Sequence, residues 1–104
     1  MMNIKFSYLY RDAGNYKQHN EEVFSNTYGL SIDEIDKRIT LQLIEGEYFS
    51  ATKWGLPDMH FEDWDQELDL PFHEFLNIEL TIESTTQSDI VDFLQKIEVI
   101  PQLS

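Results

Sequence analysis

The chain has 104 residues, of which 41% are hydrophobic and 13% aromatic, with 20 acidic residues, 7 basic residues and no cysteine. This length and composition predict a single globular domain, residues 1–104, that needs no disulfide to fold. The formal net charge of −13 argues against nucleic acid or an anionic membrane as a partner, because both bind clustered lysine and arginine. The lack of cysteine, of a signal-like stretch and of a long apolar run favours a cytoplasmic protein without thiol chemistry.

The first segment alternates apolar and polar residues with the period of a β-strand. Aromatic or branched residues occupy every second position: Ile4, Phe6, Tyr8 and Tyr10. This pattern predicts a strand over residues 3–10. The following RDAGNYK is rich in turn-forming residues, so we expect a hairpin with a second strand over residues 17–25.

A helix start is encoded at LSIDEI. Ser31 and Glu34 form a capping box, which predicts a helix that begins at Ile32. One stripe of apolar residues follows at helical spacing: Ile32, Ile35, Ile39 and Leu43. Gly46 suits the position just after the helix end, and Arg38 lies four residues after Glu34, as expected for a stabilising ion pair.

Residues 47–74 show no clean period and are interpreted as a long irregular segment, anchored in part by its aromatic side chains. A strand with one wet face follows from Leu76 to Glu83, and a second helix, capped by one of the residues 84–88, ends near Glu98. The predicted fold class is therefore α+β: a small antiparallel sheet of about three strands with two helices packed on one face, in the order ββα, irregular segment, βα.

The acidic residues concentrate in the later part of the chain. From residue 31 onward four basic residues face seventeen acids, so this part carries the whole net charge. The stretch from Asp58 to Glu74 contains seven acids and no lysine or arginine. Such a layout predicts an electronegative surface.

The same stretch contains residue types that bind metals: His60, Glu62, Asp63, His73 and Glu74. Their spacing matches no established metal motif. The competing interpretation is that each histidine lies in a turn or strand beside an acid that raises its pKa. The sequence assigns no catalytic residue, no metal ligand and no cofactor, and it lacks a nucleophile elbow or a phosphate loop.

Two other features have both a structural and a functional interpretation. Arg11 in the YRDAGNYK turn belongs to a polar cluster that could bind an anion, or it bridges to acids of its own domain. Trp54 and Trp64 could anchor a partner, or pack their own loop onto the core.

The segments YRDAGNYK, LSIDEIDKRI and GEYFSATKWGLPDMHFEDW together resemble those of a family of short bacterial proteins with no assigned activity. The resemblance covers most of the chain. It implies a bacterial cytoplasmic protein that consists of one domain, and it implies no functional residue.

The leading hypothesis is a non-enzymatic interaction protein, such as an inhibitor, an immunity-type protein or an adaptor, that docks an acidic and aromatic surface on a basic partner. Its candidate contact residues are Trp54, Phe61, Asp63, Trp64, Asp65 and Glu67. The alternative is a metal-dependent or acid–base enzyme that uses His60 and His73 with nearby carboxylates. A weak homodimer formed through a sheet edge is a third possibility.

Overall fold

The computed structural model describes residues 2–62 and 71–100 of the chain. These residues form a four-stranded antiparallel sheet and three helices, which confirms the predicted α+β class. The predicted numbers of about three strands and two helices are wrong, because the segment interpreted as irregular contributes a short strand and a short helix. Among the described residues, no helix is long and apolar enough to cross a bilayer.

The elements follow one another as β1 (Asn3–Arg11), β2 (Lys17–Phe24), α1 (Ile32–Thr40), β3 (Tyr48–Phe49), α2 (Ala51–Trp54), β4 (His73–Thr81) and α3 (Ile90–Glu98). The strand order in the sheet is β2-β1-β4-β3, and each neighbouring pair is antiparallel. Strand β1 therefore pairs on both of its edges, with its sequence neighbour β2 on one side and the distant β4 on the other.

The predicted hairpin between β1 and β2 is confirmed, with Ile4 opposite Phe24 at its open end. Its turn is closed by Asp12, whose backbone N–H donates to the carbonyl of Tyr16 at 3.0 Å. The Asp12 carboxylate in turn accepts from the backbone N–H of Tyr16 at 2.8 Å. Asn15 adopts a φ of 67°, a conformation that asparagine tolerates better than most residues.

The core lies on one face of the sheet, where the predicted aromatic stripe of β1 packs against all three helices. Its members from the sheet include Ile4, Phe6, Tyr8, Phe24, Phe49 and Ile78. The helices contribute Ile35, Ile39, Ala51, Trp54, Ile90, Phe93, Leu94 and Ile97. The periodicities of β1, α1 and α3 thus identified the buried face of each element correctly.

Strand β4 departs from the predicted alternation. Ser7 pairs with Asn77 while Tyr8 pairs with Phe75, so Leu76 is an extra residue in a β-bulge. The bulge reverses which residues face the core: Phe75 packs against it, whereas Leu76 is 46% exposed. A strict period of two cannot be read through such an insertion.

Helix α1 begins as predicted, with the Ser31 hydroxyl accepting from the backbone N–H of Glu34 at 3.1 Å. It ends at Thr40, earlier than predicted, and the chain then makes a reverse turn in which Ile44 and Tyr48 exchange backbone hydrogen bonds. Gly46, with a φ of 72°, serves this turn rather than the helix end.

An ion pair joins the two longer helices, α1 and α3. The Arg38 guanidinium of α1 donates to both carboxylate oxygens of Glu98 in α3, at 2.8 and 2.7 Å.

Helix α3 is capped by Asp89, and not by a residue of the 84–88 segment. Burial raises the pKa of Asp89, but hydrogen bonds from the Thr27 and Val91 backbones outweigh it and lower the pKa.

Helix α3 supplies a test of this core. Leu94 is fully buried, so we expect Leu94→Ala to lower the free energy of unfolding by about 2–5 kcal/mol, since it removes apolar contacts and leaves a cavity. Leu41→Ala is the matched control, because Leu41 is 71% exposed and its loss should change stability by about 0.5 kcal/mol or less. Urea denaturation measures both. Equal effects of the two substitutions would contradict this packing.

Candidate functional site

A short irregular segment, residues 57–61, crosses the aromatic face of β1 at the end where the Tyr8 hydroxyl lies. We call this segment the strap. It follows α2, which is terminated by Gly55 in a left-handed conformation with a φ of 75°. Three hydrogen bonds fasten the strap to the sheet: Tyr8 Oη to the Pro57 carbonyl at 2.6 Å, Gln18 Nε2 to the Met59 carbonyl at 2.8 Å, and the Met59 N–H to His73 Nε2 at 2.9 Å.

The strap brings Asp58 and His60 against His73 of β4. Asp58 Oδ1 lies 2.7 Å from His60 Nδ1 and 3.6 Å from His73 Nε2. The same oxygen accepts from the backbone N–H of His60 at 2.9 Å. One candidate metal-ligand atom from each of the three residues lies within 4.8 Å of the others. These residues form a candidate site, which we call the His–Asp cluster.

His73 is the buried member of the cluster, with 1% of its surface exposed. Burial lowers its pKa to about 4, aided by the neighbouring His60 and opposed by the charge of Asp58. The predicted upward shift of the histidine pKa is therefore wrong for His73. At neutral pH its imidazole is uncharged, and Nε2 holds the lone pair that accepts the Met59 N–H.

The neutral ring of His73 has an unusual consequence for its other nitrogen. Because Nε2 is the acceptor, Nδ1 carries the proton, and this buried atom has no hydrogen-bond partner among the described residues. The ring is held mainly by aromatic neighbours, with centroids 5.3 Å from Tyr10, 5.8 Å from Tyr8 and 5.1 Å from His60. Such an arrangement fixes the ring by packing.

Asp58 is ionised at neutral pH. Burial disfavours its charge, but the hydrogen bonds from the backbone and the ring of His60 outweigh this and lower the pKa of Asp58. The cluster thus combines a carboxylate with the uncharged imidazole of His73. The ring of His60 lies between solvent and Tyr10, and the centroids of these two rings are 4.4 Å apart. A carboxylate and two imidazoles can bind a divalent ion or relay a proton.

Among the described members of the predicted metal-binding set, the structure brings together His60 and His73. Glu62 is exposed and lies outside the cluster, and Glu74 is engaged by Arg11 at 2.8 Å. Asp63 lies outside the described residues. Asp58 completes the cluster although the sequence offered it only as one acid among many; its position two residues before His60 was the available signal.

The Arg11 bridge decides between the two interpretations of the YRDAGNYK turn. Arg11 Nε and one terminal nitrogen donate to the two oxygens of Glu74, at 2.8 and 3.3 Å, and a further hydrogen bond joins the guanidinium to Asn15. Arg11 therefore stabilises the junction of β1 and β4, and the hydrogen bond with Glu74 raises its pKa.

Two of the six predicted partner contacts lie among the described residues. Trp54 is 1% exposed and stacks on Phe49 at 4.6 Å, so its predicted role as a surface anchor is wrong. Phe61 is half-buried at the end of the strap, and its ring centroid lies 6.2 Å from that of Tyr10. The remaining four contacts lie outside the described residues and stay predictions: Asp63, Trp64, Asp65 and Glu67.

A second candidate region lies on the opposite face of the sheet, away from the helices. It is a groove of about 510 Å³ whose lining includes Ser7, His19, Glu21, Leu76, Asn77 and Glu79. Register places Glu21 and Asn77 on either side of Ser7. The neighbouring Lys5 ammonium lies 3.7 Å from Glu21 and 3.9 Å from Glu79. The groove is therefore rich in carboxylates.

Comparisons with known proteins assign neither region. No protein-family model, no curated protein and no solved structure matches the chain. The functional argument therefore depends on the geometry and charge of the two regions.

The lowered pKa of His73 predicts how stability depends on pH. The unfolded chain binds a proton near the ordinary pKa of 6.5 and the folded chain only near 4, so falling pH favours unfolding. We expect chelator-treated protein to lose about 2 kcal/mol of unfolding free energy from this group between pH 7 and pH 5. Denaturant titrations at each pH measure the loss.

The control is His73→Gln, which keeps an acceptor for the Met59 N–H but cannot titrate. Its loss of unfolding free energy between pH 7 and pH 5 should therefore be smaller than that of wild type by about 2 kcal/mol. His19→Gln, on β2 and outside the cluster, is the matched histidine substitution and should retain the loss that His73 contributes. A directly measured His73 pKa above 6, by NMR of the imidazole nitrogens, would contradict the prediction independently of how stable the variants are.

Proposed function

We propose that the protein is a small non-enzymatic interaction module that binds a basic protein through its acidic surface. The observation that best supports this proposal is that three of the protein's cationic side chains form ion pairs within the fold. Lys5, Arg11 and Arg38 are each held by carboxylates of another part of the fold. With only 7 basic residues against 20 acids, these internal pairs leave the surface field strongly negative.

The groove on the open face of the sheet is the described surface that fits this role. One ammonium, that of Lys5, faces the carboxylates of Glu21, Glu79 and Glu83, so two negative charges remain there. Lys5 has 16% of its side chain exposed, whereas the three carboxylate side chains have 56, 57 and 53%. The solvent-facing rim is therefore acidic, and the cation lies beneath it.

Shape and polarity support the same surface. Leu76, pushed outward by the bulge, gives the groove an apolar contact beside the acids. A lysine or arginine side chain combines an apolar stem with a charged head, and such a side chain fits an apolar floor with a carboxylate rim. The expected occupant is thus a basic, lysine- or arginine-bearing segment of a partner protein. Electrostatic complementarity between an acidic surface and a basic partner mainly accelerates association and selects the partner.

Neutralising the rim should weaken binding. For the double variant Glu21→Gln/Glu79→Gln we expect an affinity loss of about tenfold at low ionic strength and a shallower salt dependence. Immobilised wild type and variant are exposed in parallel to lysate of the source organism, at low salt and at about 0.5 M salt, where the screening length falls to a few ångströms. Quantitative mass spectrometry then identifies basic proteins retained in a salt-dependent manner, and the purified candidate gives the dissociation constants.

The matched control is Glu34→Gln/Asp36→Asn, which removes the same charge from exposed positions on α1. An equal loss in this control means nonspecific attraction to an acidic protein and overturns the proposed surface. A loss confined to Asp63→Asn/Asp65→Asn/Glu67→Gln would place the docking surface on the acidic segment instead. If no basic protein passes the salt and variant criteria, the interaction role itself is overturned.

A metal-dependent or acid–base enzyme is the second candidate function. It is favoured by the convergence of His60 and His73, the two histidines that the alternative hypothesis required, with Asp58. Within the described residues this cluster contains one carboxylate, so a mechanism with two differently tuned carboxylates has no support there. Metal binding is the first requirement of the remaining mechanism.

A further inference from the structure

We infer that Asp58, His60 and His73 form a binding site for one divalent transition-metal ion, coordinated by two imidazole nitrogens and one carboxylate oxygen. This inference is independent of the proposed docking role, since the groove lies on the opposite face of the sheet. It shares its residues with the second candidate function but requires no reaction.

The distances between the ligand atoms carry the inference. In a tetrahedral zinc site, metal–ligand distances near 2.0–2.1 Å separate the ligand atoms by about 3.3 Å. Asp58 Oδ1 and His73 Nε2 are 3.6 Å apart, close to that separation. Asp58 Oδ1 and His60 Nδ1 are 2.7 Å apart, because a proton lies between them, and must separate by about 0.6 Å.

The ligands are positioned by the fold before any ion binds. His73 belongs to β4 and is 1% exposed, so its ring cannot turn away. Asp58 and His60 are positioned by the strap, whose carbonyls at Pro57 and Met59 accept from Tyr8 and Gln18 of the sheet. A site with ligands preorganised in this manner loses little conformational entropy on binding.

Metal binding would replace two hydrogen bonds. The ion takes the lone pair of His73 Nε2 from the Met59 N–H, and it takes the place of the proton between His60 and Asp58. The displaced His60 proton goes to its other ring nitrogen or to solvent. The release of the Met59 amide is a local consequence that ion binding elsewhere on this acidic surface would not produce.

The donor set defines the class of ion. Imidazole nitrogens favour zinc, iron, nickel and copper over magnesium and calcium, which prefer oxygen ligands alone. Two histidines and one carboxylate are shared by zinc sites with an open fourth position and by iron(II) sites with several open positions. The chemistry common to both is a three-ligand site that leaves room for water or a further ligand.

The test is calorimetric titration of untagged, chelator-treated full-length protein with Zn²⁺, and in a parallel arm with Fe²⁺ under anaerobic conditions. We expect one ion per chain, with visible absorption of tetrahedral Co²⁺ when cobalt is the probe. Asp58→Asn, at an exposed position, and His60→Ala, at a half-buried one, should each weaken binding by at least about tenfold. His19→Ala is the matched control and should bind as wild type does.

A second readout is the backbone amide of Met59, followed by NMR. Its resonance should shift at the same metal concentration in wild type and in His19→Ala, and only at a concentration at least about tenfold higher in His60→Ala. No binding at millimolar Zn²⁺ and Fe²⁺, or binding that survives Asp58→Asn and His60→Ala unchanged, overturns the site. Tighter Fe²⁺ than Zn²⁺ binding, against their ordinary order of affinities, would identify an iron site. None of these outcomes affects the groove proposal.

Discussion

The burial of one ring, Phe6, is the constraint around which the molecule is organised. Its centroid lies 5.8 Å from Phe49, 6.4 Å from Trp54, 5.1 Å from Phe75 and 5.6 Å from Phe93. These partners come from both short elements of the middle segment, from β4 and from α3. A large aromatic side chain in the central strand therefore draws side chains of β3, α2, β4 and α3 to the same face of the sheet.

The two candidate regions follow from this arrangement. The helices cover the apolar end of the β1 stripe, and the strap covers its polar end, where the hydroxyl of Tyr8 needs a hydrogen-bond acceptor and finds the Pro57 carbonyl. The strap thereby places Asp58 and His60 over His73. No helix of the described residues covers the other face of β1, and this face carries Lys5 and its carboxylate partners.

Much of the fold could be predicted from local patterns, because β1, α1 and α3 have one buried face and a clear period. The elements β3 and α2 are too short to show a period, and β4 contains the extra residue Leu76, which breaks its alternation. The His–Asp cluster was only half predictable. His60 and His73 drew attention by residue type, but their convergence depends on the strap, whose hydrogen bonds to Tyr8 and Gln18 leave no trace in sequence spacing.

The pairing of β1 with β4 also constrains how the chain folds. Asn3 is opposite Thr81, so the central strand gains its second neighbour only after most of the chain has been synthesised. Until then β1 has only β2 as a strand partner, and isolated hairpins are marginally stable in water. Such long-range pairing slows folding and prolongs the exposure of apolar surface. The high negative charge of the chain then has a second effect during synthesis, because mutual repulsion keeps these incomplete chains apart.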